Sequence, residues 1–179
     1  MINTKRTAAA ANLARQVHGG QIDRTGGLVL DHYLAVAGSF DSEDEACVAL
    51  LCDSLSSGKV AESDLEAIGM GPAVIEAVSV LKRSDSEDLF AYVERIKCND
   101  LATRVKRADL VQRVKDMDSY VSLTGYDRRR RTSCLKAIDI IDGVDAVAYD
   151  GLFESQHRHG AKLTPIPATP KPPAAREDR

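Results

Sequence analysis

The sequence has no tryptophan, and aromatic residues of any kind make up only 4% of its 179 residues. Alanine is abundant, a composition that favours helices packed closely through small side chains. There is also no stretch of 18 or more apolar residues, so we expect no membrane-spanning segment. The first twenty residues are too polar for a secretory signal.

Cysteine is scarce, and its four copies form no C-x-x-C pair. Without an export signal, we expect these cysteines to be reduced thiols, and a cytoplasmic location follows as the default. The sequence also lacks internal repeats, clear strand pairs and a glycine-rich phosphate loop. These absences disfavour repeat proteins, β-folds and P-loop nucleotide enzymes.

The sequence is rich in helical patterns. Its length fits one domain, and we predict an all-α domain of about seven or eight helices over residues 4–155. Residues 46–52 are apolar all round, which is typical of a buried central helix. Residues 156–179 are proline-rich and predict a disordered tail.

Helix starts are predicted from capping residues. Three segments read as capping boxes, which begin at Ser42, Ser63 and Ser84. Pro72 suits the first position of a further helix. Asp127 is expected to cap the last helix, which should end at Gly143.

The charge is distributed unevenly. Residues 38–96 contain 13 acidic and 4 basic residues, whereas residues 97–136 contain 11 basic and 5 acidic residues. The second segment could attract an anionic ligand, or it could simply be a solvated helix face. Its four consecutive arginines at 128–131 circle the helix rather than forming one stripe, so nucleic acid is an unfavoured partner.

Four side chains of metal-binding chemistry stand at or within predicted helices. They are His18, Cys52, Asp53 and Asp109. Imidazole, thiolate and carboxylate are all transition-metal ligands. Taken alone, the pattern also fits a helix-end histidine, a structural carboxylate and a cysteine that acts as a small core residue.

Longer segments around these residues resemble a known family. The segments are ARQVHGGQIDRTGG followed by DHYLAVA, ALLCD at residues 49–53, and VKRADL at residues 105–110. They resemble the HD-domain hydrolases of the RelA/SpoT alarmone type, and the resemblance covers residues 4–141. The positions that match the family's first motifs are His18, Gln21, Gly26 and His32.

The resemblance implies an HD-like helical bundle that acts on a phosphorylated nucleotide. It also implies a divalent metal, commonly manganese, held by His18, Cys52, Asp53 and Asp109. Such a metal lowers the pKa of a bound water and stabilises charge on the attacked phosphate.

The sequence departs from the family at the positions that bind the metal and orient the attacking water. Cys52 replaces a histidine and would favour zinc over manganese. Ser56 and Ser57 replace the acidic pair that orients the attacking water. Arg113 replaces an asparagine, and its charge would oppose a metal or grip a phosphate directly. With Arg24 and Lys106, Arg113 is a candidate contact for the substrate.

These departures favour a degenerate metal site. Our leading interpretation is a nucleotide-binding or regulatory protein with weak or no phosphohydrolase activity. The alternatives are an active metal-dependent nucleotide phosphohydrolase and a protein-interaction module that uses the basic face or the tail. The sequence does not identify a protein partner.

Overall fold

The computed structural model describes residues 3–24, 26–84, 86–120 and 122–144. These residues form eight α-helices and no extended strand, which confirms the all-α prediction. The helices are α1 Lys5–His18, α2 Val29–Gly38, α3 Glu43–Leu51, α4 Glu62–Ala67, α5 Pro72–Leu81, α6 Leu89–Ile96, α7 Asp100–Asp118 and α8 Gly125–Asp142. A 3-10 turn, Leu55–Ser57, follows α3.

Helix α3 lies at the centre of the fold. Its residues 46–51 are all buried, and it packs against α1, α2, α5 and α7. The sequence explains this position, because a helix that is apolar all round has no face suited to solvent. Each fully buried leucine, such as Leu50, contributes about 1.5–3 kcal/mol relative to exposure. The end of α3 therefore holds Cys52 and Asp53 against α2 and α7.

None of the three predicted capping boxes is formed, and only Ser42 of the three serines is an N-cap residue. Ser42 is the N-cap residue of α3, but its side chain makes no capping hydrogen bond. Helix α4 begins after Ala61 rather than at Ser63, because the Asp64 carboxylate accepts a hydrogen bond from the Ala61 amide at 2.8 Å.

The starts of α6 and α8 are also shifted from their predicted residues. Asp88, not Ser84, caps α6 by accepting from the amides of its first turn. Thr124, not Asp127, caps α8. Asp127 instead completes a capping box, since its carboxylate accepts from the Thr124 amide at 2.9 Å.

Other boundaries follow the sequence prediction closely. Pro72 is the first residue of α5, and Gly143 ends α8 with a φ of 70°, in the left-handed region that glycine enters readily. The predicted domain boundary after residue 155 and the predicted disordered tail lie outside the described residues. Among the described helices, none has the length and apolar character needed to cross a membrane.

Candidate ligand-binding site

The four predicted metal ligands are carried by three helices. His18 ends α1, Cys52 and Asp53 follow α3, and Asp109 lies in the middle of α7. Other side chains lie between them and make the closest contacts. Lys106 and Arg113 were predicted as substrate contacts, whereas His32 and Tyr33 were not among the predicted site residues.

Asp109 is the centre of a buried ion cluster. Its side chain is 4% exposed and accepts from Lys106 at 2.8 Å, from Arg113 at 3.1 Å and from His32 at 2.8 Å. We call these four residues the inner ion cluster. Lys106 and Arg113 stand at i−3 and i+4 from Asp109, so one helix face presents all three.

The contacts within the cluster shift the pKa values of Asp109, Lys106 and Arg113. Burial raises the pKa of Asp109, but Arg113, Lys106 and His32 together hold it well below its usual range. The Asp109 carboxylate in turn raises the pKa of Arg113. Burial disfavours charge on Lys106, yet the nearby carboxylates outweigh it and raise its pKa. Asp109 is thus a carboxylate neutralised by the protein's own cations.

His32 ties α2 to α7 through both ring nitrogens. Its Nε2 lies 2.8 Å from an Asp109 oxygen, and its Nδ1 lies 2.8 Å from an Asp116 oxygen. Carboxylates only accept hydrogen bonds, so both contacts are made together when the ring is protonated. Asp109 and Asp116 are seven residues apart, which places them on one face of α7.

Tyr33 fills the space between the predicted ligands. Its hydroxyl donates to the Asp53 carboxylate at 2.6 Å, and its ring centroid lies 4.9 Å from that of His18. Burial first, and then Asp53, raise the pKa of Tyr33, so its hydroxyl stays protonated as a donor. The same carboxylate lies 4.0 Å from Arg113. Asp53 therefore contacts a tyrosine and an arginine.

His18 is buried and partly hydrogen-bonded. Its Nδ1 lies 3.1 Å from the Gln21 side-chain oxygen, and Gln21 in turn donates to the Val17 carbonyl. The Nε2 atom of His18 is buried and has no hydrogen-bond partner among the described residues. Gln21, one of the positions that match the family, thus has a structural role, since its side chain orients His18.

Cys52 is held as a neutral thiol. The residue is 8% exposed, and burial raises its pKa well above the usual value, with Asp53 and Asp109 adding to the rise. A cavity of about 10 Å³ adjoins Cys52, Lys106 and Asp109, which is room for one water molecule at most. Metal binding requires a thiolate, so this environment opposes it.

The predicted metal ligands do not fit a metal in this arrangement. The described residues contain no group of three or more His, Cys, Asp or Glu side chains that could hold an ion. Lys106 and Arg113 already contact the Asp109 carboxylate, and burial raises the pKa of the Cys52 thiol well above its usual value. Manganese or zinc binding therefore stays a prediction of the family resemblance.

The two serines at the family's water-orienting positions lie at the 3-10 turn. Ser57 donates to the Ser54 carbonyl at 2.6 Å and accepts from the Lys59 amide at 3.1 Å, while Ser56 is exposed. The Ser57 hydroxyl thus stabilises the turn. A serine there supplies no carboxylate for orienting a water molecule.

A cavity of about 80 Å³ opens beside the inner ion cluster. Three arginines line it, and we call it the arginine pocket: Arg24, Arg113 and Arg130. Its wall also contains aromatic residues and carboxylates: Tyr33, Tyr120, Asp23, Asp116 and Asp127. The wall therefore contains three arginines and three aspartates.

Two of the three predicted substrate contacts line this pocket. Arg24 and Arg113 are in its wall, and the Arg24 guanidinium also lies 4.2 Å from the ring centroid of Tyr126. Lys106 is not in the pocket wall, because it is buried against Asp109.

The sequence reasoning missed Arg130 and Tyr120. It treated the four arginines at 128–131 as a unit, yet in the structure they make different contacts. Arg131 pairs with Asp118 at 2.6 Å, and Arg128 donates to the Leu123 carbonyl, whereas Arg130 faces the pocket. Helical periodicity could have made this distinction, since consecutive residues on a helix point about 100° apart.

The chain matches no protein-family model, and no curated protein matches it with significant similarity. The resemblance to the alarmone-type HD hydrolases thus stays a prediction.

Proposed function

We propose that this chain is a nucleotide-binding, regulatory protein built on an HD-like helical scaffold, with weak or no phosphohydrolase activity. The observation that carries the proposal is the contact of Arg113 with Asp109 at 3.1 Å. In the family that the chain resembles, Asp109 would bind the metal and position 113 would be a neutral asparagine. Here a permanent cation holds that carboxylate.

The arginine pocket supports binding of a phosphate group. Guanidinium groups present paired donors that match phosphate oxygens, and they stay charged at any physiological pH. A cavity of about 80 Å³ has room for a phosphoryl group but not for a whole nucleotide. The rest of the ligand would therefore extend toward solvent.

The carboxylates in the pocket wall favour a nucleotide over a simple anion. Asp23, Asp116 and Asp127 offset the positive charge, so a bare phosphate gains little from the field. Tyr120 offers a ring against which a base can stack, and stacking is worth about 1–3 kcal/mol per base. The favoured ligand therefore has a phosphate and an aromatic base in one molecule.

Titration calorimetry tests the binding. Guanosine tetraphosphate, GTP, ATP and inorganic phosphate are titrated without added metal, and we expect a nucleotide to bind more tightly than phosphate. Arg130→Gln should weaken that binding about tenfold or more, because it removes a charge-assisted phosphate contact. Arg129→Gln, one residue away and exposed, is the matched control. Equal loss in both variants, or no nucleotide binding at all, would contradict the proposal.

A second experiment tests the lack of turnover. Wild type is incubated with the same nucleotides and manganese or zinc, and we expect little or no product. The variant that combines Cys52→His, Arg113→Asn, Ser56→Glu and Ser57→Asp restores the family's residues and should gain activity. Wild-type turnover accompanied by a stoichiometric bound metal would overturn the proposal in favour of the active hydrolase.

A further inference from the structure

A second concavity lies on the other side of α7, between that helix and the end of α2. It has a volume of about 250 Å³. Apolar side chains form its floor: Val36, Phe40, Ala108 and Val111. Three cations belong to its wall: Arg104, Arg107 and Lys115. We call it the basic groove.

The basic groove follows one face of α7. Its α7 residues recur at 104, 107, 108, 111 and 115, which are helical steps of three and four residues. From residue 104 to residue 115 the face is about 16 Å long, at 1.5 Å per residue. That length matches about three turns of a second helix.

The charge of the groove has one sign. Its lining contains three cations and no carboxylate, in contrast to the arginine pocket and in a chain of net charge −3. The Lys115 ammonium makes no hydrogen bond or ion pair with any residue that the structure describes. A ligand with carboxylates beside its apolar face would therefore find complementary charge.

Arg104 and Arg107 each contact a carboxylate through some of their N–H donors and have further N–H donors beyond those contacts. Arg104 uses its Nε on Glu45, and Arg107 uses Nε and one terminal nitrogen on Asp142. The side chains of Arg104 and Arg107 are 57% and 48% exposed. Their partners Glu45 and Asp142 are 15% and 34% exposed. The more exposed pair, Arg107 with Asp142, should be worth only about 0–1 kcal/mol, so a partner's carboxylate can replace Asp142 at small cost. A second carboxylate can share Arg104 through its terminal nitrogens.

We propose that the basic groove docks an acidic amphipathic helix of a partner protein. The apolar side of that helix would lie on Val111 and Phe40, and its Asp or Glu residues would reach Arg104, Arg107 and Lys115. Helix-in-groove recognition places the apolar face of an amphipathic helix on an apolar floor, and charges at the rim add specificity. The inference does not depend on ligand binding in the arginine pocket.

A pair of synthetic peptides tests the proposal on the full chain. One is an amphipathic helix of roughly four turns with leucine on one face and glutamate on the other, and its counterpart has lysine in place of glutamate. Fluorescence anisotropy of labelled peptide measures binding. We expect the glutamate peptide to bind at least about tenfold more tightly, with affinity falling as salt rises.

Variants locate the contact. Val111→Asp and Lys115→Glu should each weaken the glutamate peptide about tenfold or more, since one removes the apolar floor and the other reverses the rim charge. Val60→Asp, in a groove between α1 and α4, and Lys82→Glu, at the end of α5, are the matched controls and should have little effect. Circular dichroism checks that each variant is folded.

Three outcomes would overturn the proposal. The first is equal binding of the two peptides. The second is binding that the groove variants do not weaken more than their controls. The third is self-association in analytical ultracentrifugation that Val111→Asp abolishes, because a second copy of this chain would then occupy the groove.

Discussion

The charged residues on the two faces of α7 differ in their exposure to solvent and in where their partners lie. On the inner face, Asp109, Lys106 and Arg113 are 4%, 17% and 26% exposed, and both cations contact the Asp109 carboxylate directly. On the outer face, Arg104 and Arg107 are about half exposed, and each contacts a carboxylate on another helix. One helix therefore carries a buried, self-neutralised cluster and an exposed, basic surface.

The comparison shows which charges are available to a ligand. A buried charge depends on its partner, because removal of one member leaves the other desolvated and uncompensated. An exposed charge is already solvated and loses little when its partner moves. The charges of the inner ion cluster thus stabilise the fold, whereas the cations of the basic groove can exchange their carboxylate partners for those of a ligand.

The largest expected effect is from Asp109→Asn. It takes from Lys106 and Arg113 the carboxylate that they share and leaves the 43% exposed Asp53, 4.0 Å from Arg113, as the nearby anion, so we expect a loss of about 3–5 kcal/mol in the free energy of unfolding. Urea-induced unfolding measures it. Asp142→Asn, which removes the carboxylate partner of Arg107 on the outer face, should cost less than about 1 kcal/mol. Similar losses in both variants would erase the distinction between the faces.

The coupling between partners should also differ between the faces. In a double-mutant cycle with Asp109→Asn and Arg113→Gln, we expect a coupling free energy of about 1–3 kcal/mol. The same cycle with Asp142→Asn and Arg107→Gln should give about 0.5 kcal/mol or less. Urea unfolding of the four single and two double variants provides both values. An additive inner cycle would mean that Arg113 and Asp109 do not stabilise each other.

Much of the fold was predictable because its signals are local. The all-round apolar run at residues 46–52 predicted the central helix, and Gly143 predicted the end of α8. Helix starts were less certain, since acidic residues stand next to each serine of the predicted boxes. The carboxylates of Asp64 and Asp88, rather than the predicted serine hydroxyls, accept the hydrogen bonds at the starts of α4 and α6.

The site was only half predictable, for a physical reason. The sequence indicated that His18, Asp53 and Asp109 would come together, but not what would lie between them. Tyr33 and His32 enter from α2, and their contacts with Asp53 and Asp109 join residues 20 and 77 positions apart. Nothing local encodes such contacts. The steps from Asp109 to Arg113 and Asp116, by contrast, follow helical spacing and could have been read from the sequence.

Acid should remove the stabilisation that the inner ion cluster provides. The pKa of Asp109 is well below its unfolded value of about 3.9, so its contribution is complete above that pH and is lost as pH falls through the folded pKa. The stability difference between wild type and Asp109→Asn should therefore shrink as the pH falls below about 4. Urea unfolding at each pH measures it. A difference that grows on acidification would reverse the assigned sign.

The smallest effect concerns a single thiol beside the inner ion cluster. Cys52 is buried with a raised pKa, whereas Cys98, at the turn between α6 and α7, is exposed. Alkylation requires an accessible thiolate, so iodoacetamide at about pH 8 should label Cys98 in the folded protein and Cys52 only after urea is added. Mass spectrometry identifies the labelled residue, and Cys98→Ser should abolish labelling of the folded protein.

Rapid labelling of Cys52 in the folded protein would contradict this assignment. It would mean that the thiolate forms near neutral pH despite burial and the nearby Asp53 and Asp109 carboxylates. A thiolate at that position is what a zinc ion would require. The labelling rate of one cysteine therefore separates a cluster neutralised by Lys106 and Arg113 from a site that still has a ligand for metal.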